Sequence, residues 1–316
     1  AWLREPAAER RAAYLAGSSD GAAGWLARAV AALAGGHPST WCLLDPRYTR
    51  MRETRPPEQA CRDLLDWWAV DAPPLAYDVE AGPPSTSGWV VGDLLQHLST
   101  GRTKGNALVQ TPWWVCDLIL EETVRPAAAE FPDTTLRLVD PACGTGHFMV
   151  RAVDRLWELY TDGVMTPYTV GGHAGPEPVP GWTPVGPSEA ARRILAGVHG
   201  VELDPLTAAV ARLRLTVAVA SKLAAGGPFR LARVSATVRP RIVVGDSLLL
   251  GAVPRAEYRG LHPRLYEVYA SEVDLFGRVA WPGEESDSAP VPEPAARTVV
   301  AAPRAAGQLD LFASSA

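Results

Sequence analysis

The stretch that most constrains this chain is Val139-Asp140-Pro141-Ala142-Cys143-Gly144-Thr145-Gly146-His147-Phe148, where a short apolar run gives way to two closely spaced glycines and then to a helical pattern. Glycine reaches positive φ without a Cβ clash and lets the backbone come close to a neighbour. A strand that turns on such glycines into a helix leaves helix-terminal amides facing the crevice at its carboxyl end, which is where open α/β sheets bind nucleotide-like ligands. A pair of glycines alone also fits a tight strand-to-helix turn with no ligand. The whole ten-residue string is far more restrictive than the pair.

Around this string the chain alternates helix and strand signals, the pattern of a parallel sheet with crossover helices. The spacing predicts a helix over 92–98, a basic turn carrying Arg102 and Lys104, and a second helix starting near Pro112. A strand over 136–140 and a helix over 147–160 follow, then a loop over 161–187 that holds six glycines and six prolines. A strand over 198–203, a helix over 205–224 and a strand over 241–244 complete the series.

The expected organisation is a core over 91–251, preceded by a mostly helical extension over 1–90. The extension holds helical patterns at 2–15, 22–33 and 58–68, separated by segments rich in proline, glycine and serine, and is expected to cap or extend the core. A helical segment over 252–281 follows the core, with an amphipathic helix around 264–273. Residues 282–316 read as a flexible tail, because their Pro, Ala, Ser and Glu content buries too little apolar surface to offset ordering entropy.

With 47% hydrophobic and 21% charged residues over 316 positions, the chain is neither fibrous nor wholly disordered. No run approaches the roughly 18 apolar residues of a membrane helix, and the charges among residues 1–20 argue against a secretory signal. Cys42, Cys61, Cys116 and Cys143 lie too far apart for a structural zinc site, so no metal is expected and a reducing, cytoplasmic compartment fits. A net charge of −5 means that contact with nucleic acid requires a local basic surface.

The ten-residue string resembles the S-adenosyl-L-methionine-binding motif of adenine-N6 DNA methyltransferases, especially large restriction and phage-defence enzymes. Three further stretches agree in order and kind. Gln110-Thr111-Pro112-Trp113-Trp114-Val115 resembles the family's Thr-Pro element, which implies that Thr111 and Pro112 contact the methionine end of the cofactor. Gly200-Val201-Glu202-Leu203-Asp204-Pro205 resembles the second motif, whose acidic residue holds the ribose hydroxyls. Val244-Gly245-Asp246-Ser247-Leu248 resembles the third, whose aspartate accepts a hydrogen bond from adenine. Gly92-Asp93-Leu94-Leu95-Gln96-His97-Leu98-Ser99 echoes an upstream segment of these enzymes. The resemblance covers about half the chain and implies a Rossmann-like methyltransferase core. It places the cofactor on Thr111, Pro112, Asp140, Pro141, Ala142, Cys143, Gly144, Gly146, Phe148, Glu202 and Asp246.

Read as chemistry, a carboxylate at the end of the second strand can accept two hydrogen bonds from a ribose diol. Glu202 is the first choice and Asp204 the second, since Asp204 directly before Pro205 also reads as a helix cap. Asp246 reads either as an adenine acceptor or as a turn aspartate, and Phe148 as a residue beside the cofactor or packed beneath it.

The family's amine clamp, an Asn/Asp/Ser-Pro-Pro-aromatic string after a fourth strand, is not found, and the catalytic residues are unassigned. The residues beyond Asp246 are too few for the remaining strands, so the sheet is expected to be incomplete and the catalytic motif to come from elsewhere, for example a second subunit. The nearest substitute, Asp45-Pro46-Arg47-Tyr48, has Arg47 where a proline belongs and reads first as an ordinary turn. Gly260-Leu261-His262-Pro263-Arg264-Leu265-Tyr266 reads as a helix start, and Arg255, Arg259 and Arg264 as a solvated face or a phosphate contact.

At the far end, Gln308-Leu309-Asp310-Leu311-Phe312 resembles the peptide with which bacterial proteins bind the DNA polymerase sliding clamp. In that likeness Leu311 and Phe312 fill an apolar pocket and Gln308 bonds at its rim, on a flexible tether, with Leu309 also among the partner-binding residues. The expectation is thus an adenine-N6 DNA methyltransferase using S-adenosyl-L-methionine, with DNA and the clamp as partners. The alternative is a cofactor-binding or clamp-binding module that needs a partner for catalysis.

Overall fold

The computed structural model describes residues 21–35, 37–49, 56–68, 111–169, 172–173, 175–224, 231, 234 and 240–276. The expected helices at 2–15 and 92–98, the turn with Arg102 and Lys104, and the tail with its Gln308–Phe312 peptide lie outside these residues. In chain order the elements are α1 (Gly21–Gly35), a 3-10 helix (Pro38–Leu44), α2 (Glu58–Trp68), α3 (Trp113–Glu130), β1 (Leu138–Asp140), α4 (His147–Asp162), β2 (Val164–Met165), β3 (Tyr168–Thr169), β4 (Gly172–His173), β5 (Glu177–Pro178), α5 (Pro187–Gly197), β6 (Val198–Glu202), α6 (Pro205–Ala224), β7 (Arg241–Val244), α7 (Arg255–Leu261) and α8 (Pro263–Phe276).

Strands β1, β6 and β7 form one parallel sheet in the order β1-β6-β7, as the alternating pattern predicts. Asp140 stands opposite Gly200, and Glu202 opposite Val244, so all three strands end on the same side. Alternation of side chains puts Val198, Ile242 and Val244 on a buried face, against which α4 and α6 pack. Val139, on the other face, is 61% exposed. The fold is therefore a mixed α/β arrangement with a parallel sheet.

Helix α4 follows from its apolar spacing, which buries Met149, Val153, Leu156 and Tyr160 along one side. It stops at Gly163, whose left-handed φ of 68° lets its N–H close on Leu159 O. A buried ion network fastens α3 to α4: Arg151 Nη2 lies 2.6 Å from Asp117 Oδ1, and Asp117 is fully buried. Such a pair holds because close, multiply bonded geometry offsets the cost of desolvating both charges.

Two regions differ from the sequence expectation. The 161–187 stretch contains a nested antiparallel ribbon, β2 with β5 and β3 with β4, tied down where Glu121 Oε2 accepts from Tyr168 N and Glu158 Oε2 from Thr166 N, each at 3.1 Å. Helix α5 was not expected. In addition, Cys42 and Tyr48 of the N-terminal extension belong to the main core, with the Arg212 guanidinium 5.4 Å from the Tyr48 ring. No helix among the described residues is long and apolar enough to cross a membrane.

Candidate functional site

Strand β1 delivers Asp140 to the loop, and its Oδ1 accepts from Ala142 N at 3.1 Å, closing the first turn. The Cys143 N–H donates to Val201 O at 3.0 Å, which carries the β1–β6 pairing one step into the loop. Gly144 and Gly146 then take left-handed φ values of 54° and 84°. At Gly146 a Cβ would also come within 3.2 Å of the flexible Met149 Cε, but it is the left-handed φ that calls for glycine. Thr145 is buried and anchored by Arg214, whose Nη1 donates to both Thr145 O and Oγ1 at 2.7 Å.

Glu202 is the centre of the arrangement. Its Oε2 accepts from Gly144 N at 2.9 Å and its Oε1 from Asp204 N at 2.8 Å. An ionised carboxylate offers about four acceptor positions, so acceptors remain for a diol. Burial pushes the Glu202 carboxyl above its ordinary value, although the Asp204 and Gly144 amides draw it back in part. Burial likewise raises Asp140, against the pull of the Ala142 amide. Asp204 takes the capping role: its Oδ2 accepts from Thr207 N at 2.9 Å and Thr207 Oγ1 at 2.7 Å.

The third strand end joins through Gly245, whose N–H donates to Glu202 O at 2.9 Å. Asp246 follows directly. Its Oδ1 accepts from Leu248 N at 2.9 Å, the turn geometry that the sequence allowed, while Oδ2 faces His262 Nε2 at 3.5 Å. Asp140, Gly144, Glu202 and Asp246 are thus gathered at the carboxyl ends of the three strands.

Thr111 and Pro112 are exposed at the start of α3, with Pro112 as its N-cap. The buried Cys116 thiol is pushed up to about 12, first by desolvation and then by the Asp117 charge. Pro141 and Ala142 are exposed on the loop. Cys143 points inward instead: a Cβ at Gly200 would meet its Sγ at 2.9 Å, and burial raises the thiol well above its ordinary value. Phe148 packs on the core and lines a groove of about 260 Å³ with Ile119, Val124, Leu138 and Val139.

The Asp45–Tyr48 stretch is a turn. Arg47 engages both Asp45 oxygens, through Nε to Oδ1 at 2.9 Å and Nη2 to Oδ2 at 2.6 Å, and Tyr48 is 4% exposed beneath Trp41. Its ring is taken and cannot stack on a base. Arg255 and Arg259 flank the Tyr266 ring at 5.6 Å each, and α8 begins at Pro263. Sequence reasoning missed Arg214 and Tyr258. A charged residue inside the apolar run of α6 was a signal for the first, whereas nothing local marked the second.

No family model and no solved structure matches the chain. A curated relative does. Over 234 residues, 72% of this chain, the sequence is 34% identical to the adenine-specific methyltransferase PglX of Streptomyces coelicolor. The chain spans 18% of that relative's length. The similarity supports the methyltransferase resemblance carried by the four motifs.

Proposed function

We propose that this chain binds S-adenosyl-L-methionine as part of a DNA methyltransferase of the adenine-N6 type. The observation that carries the reading is the Glu202 carboxylate bonded at 2.9 Å to Gly144 N, with acceptors left over, at the end of the sheet where Asp246 also emerges. In this reading Glu202 accepts from the ribose hydroxyls and Asp246 from the adenine amine. Asp140 and Thr111 flank the methionine end, and the glycine loop leaves room for close backbone approach. When bound, the cofactor supplies a methyl group activated on sulfonium. Isothermal titration of the purified protein tests this: binding that Glu202→Ala weakens supports it, and no heat of binding at millimolar cofactor overturns it.

A second reading is favoured by β1, which ends the sheet among the described residues and leaves Val139 61% exposed. Here the amine clamp comes from another polypeptide whose strand pairs with β1. In a parallel sheet such a strand ends about 5 Å from Asp140, on the cofactor side. Incubating the chain alone with mixed-sequence DNA and radiolabelled cofactor separates the readings, since label transfer to adenine by the chain alone refutes the need for a partner.

Recruitment through Gln308, Leu309, Leu311 and Phe312 to a sliding clamp is part of the proposal. Replacing both Leu311 and Phe312 by alanine is expected to abolish capture on immobilised clamp and leave cofactor affinity unchanged. Equal capture of both proteins disposes of it.

A further inference from the structure

After β7 the chain must turn sharply, and the residues that hold this turn come from α7. Tyr258 is fully buried. Its hydroxyl accepts from Asp246 N at 2.8 Å and lies so near Gly245 that a Cβ there would approach it to 3.1 Å. His262 caps the same helix through its backbone N–H, which donates to Tyr258 O at 2.8 Å, while its ring lies 5.4 Å from the Tyr258 ring and presents Nε2 to Asp246 Oδ2 at 3.5 Å. With Leu248 N on Oδ1, both the backbone and the carboxylate of Asp246 are held.

A carboxylate only accepts hydrogen bonds, so it can pair with an exocyclic amine, which donates, and not with a carbonyl oxygen. Such a site discriminates strongly when its polar group cannot swing away, because the wrong ligand then leaves it unpaired. Tyr258 fixes the backbone of Asp246, and Leu248 with His262 restrains the side chain. We propose that Tyr258 and His262 are positioning residues that aim Asp246 at the amine of a 6-aminopurine, making this end of the crevice selective against a 6-oxopurine. The inference rests on the reading of Asp246 given above.

Isothermal titration of the full chain with S-adenosyl-L-homocysteine and with S-inosyl-L-homocysteine tests it. The wild type is expected to prefer the amino form by about tenfold or more, the worth of one hydrogen bond to a charged acceptor. Tyr258→Phe keeps the ring in the core and loses the hydroxyl. It and His262→Ala are each expected to reduce the amino-to-oxo ratio about threefold or more. Asp246→Asn, whose amide can also donate, is expected to bring the ratio close to one.

A ratio that stays at the wild-type value in both Tyr258→Phe and His262→Ala, with both ligands weakened equally, overturns the proposal, since that is what a structural role alone produces. Equal binding of the two ligands by the wild type overturns it as well. Failure of the wild type to bind either ligand refutes the cofactor reading itself. Should Tyr258→Phe fail to fold, as judged by circular dichroism, His262→Ala decides alone.

Discussion

Glu202 carries two tasks that pull in opposite directions. It tethers the glycine loop through Gly144, and it is the acceptor proposed for the ribose. Its carboxyl lies above the ordinary 4.5 because burial disfavours the charge, and Asp140 is raised for the same reason. Ribose hydroxyls donate best to the ionised form. Cofactor affinity is therefore expected to fall on acidification with a midpoint above 4.5, the ordinary value, measured by titration calorimetry across the acid range. Glu202→Gln is expected to bind about tenfold more weakly and with a flatter pH profile. For stability the sign is reversed. The native state holds protons at Glu202 and Asp140 more tightly than the unfolded chain does. These two groups thus favour folding most below the ordinary carboxylate range, and that contribution fades as pH rises through the raised values.

At the scale of elements, the Asp117–Arg151 pair shows what joins α3, and with it Thr111 and Pro112, to the loop-bearing α4. Arg151 donates to Asp117 through Nε at 2.9 Å and Nη2 at 2.6 and 2.8 Å. Asp117→Ala leaves the buried Arg151 guanidinium with Asp154 Oδ2 at 3.1 Å in place of its closer bonds, and a loss of up to about 3–5 kcal/mol is expected in urea unfolding. A loss within experimental error would mean that water reaches Arg151 freely. The same elements show which parts of the fold could be read beforehand. Helix α6 begins at Pro205 after the cap Asp204, and its start was legible because Pro at the first helical position and Asp before it are local signals. Strand β1 was expected from residue 136 and starts at 138, since Leu136 N donates to the Tyr160 hydroxyl at 3.0 Å and not to a strand. The β2–β5 and β3–β4 ladders pair only two residues each, too short for any alternation to show. In the site, the glycines and carboxylates were legible because loop chemistry is local. Arg214 was not read because it reaches Thr145 across 69 residues of chain, and Tyr258 because its partner Asp246 lies on another element.

At the scale of the molecule, a parallel sheet is stable when both faces and both edges are covered. Here α4 and α6 cover one face, and α7 and α8 bring Tyr258 and Tyr269 against Val243 at the β7 side. Toward β1 the cover ends among the described residues. Val139 is 61% exposed, and Ile119 of α3, which shares a groove with it, is 40% exposed. A strand edge flanked by apolar side chains pairs readily with another chain, and a lysine placed on it opposes that pairing. Val139→Lys gives up only the partial cover of a side chain that is 61% exposed, so a stability loss of no more than about 1 kcal/mol is expected. What should change is association. In sedimentation velocity the wild type is expected to shift to larger species as concentration rises, while Val139→Lys stays at the monomer value. If both sediment alike at every concentration, the edge is already covered within the chain, and a strand from a second polypeptide has no place beside β1.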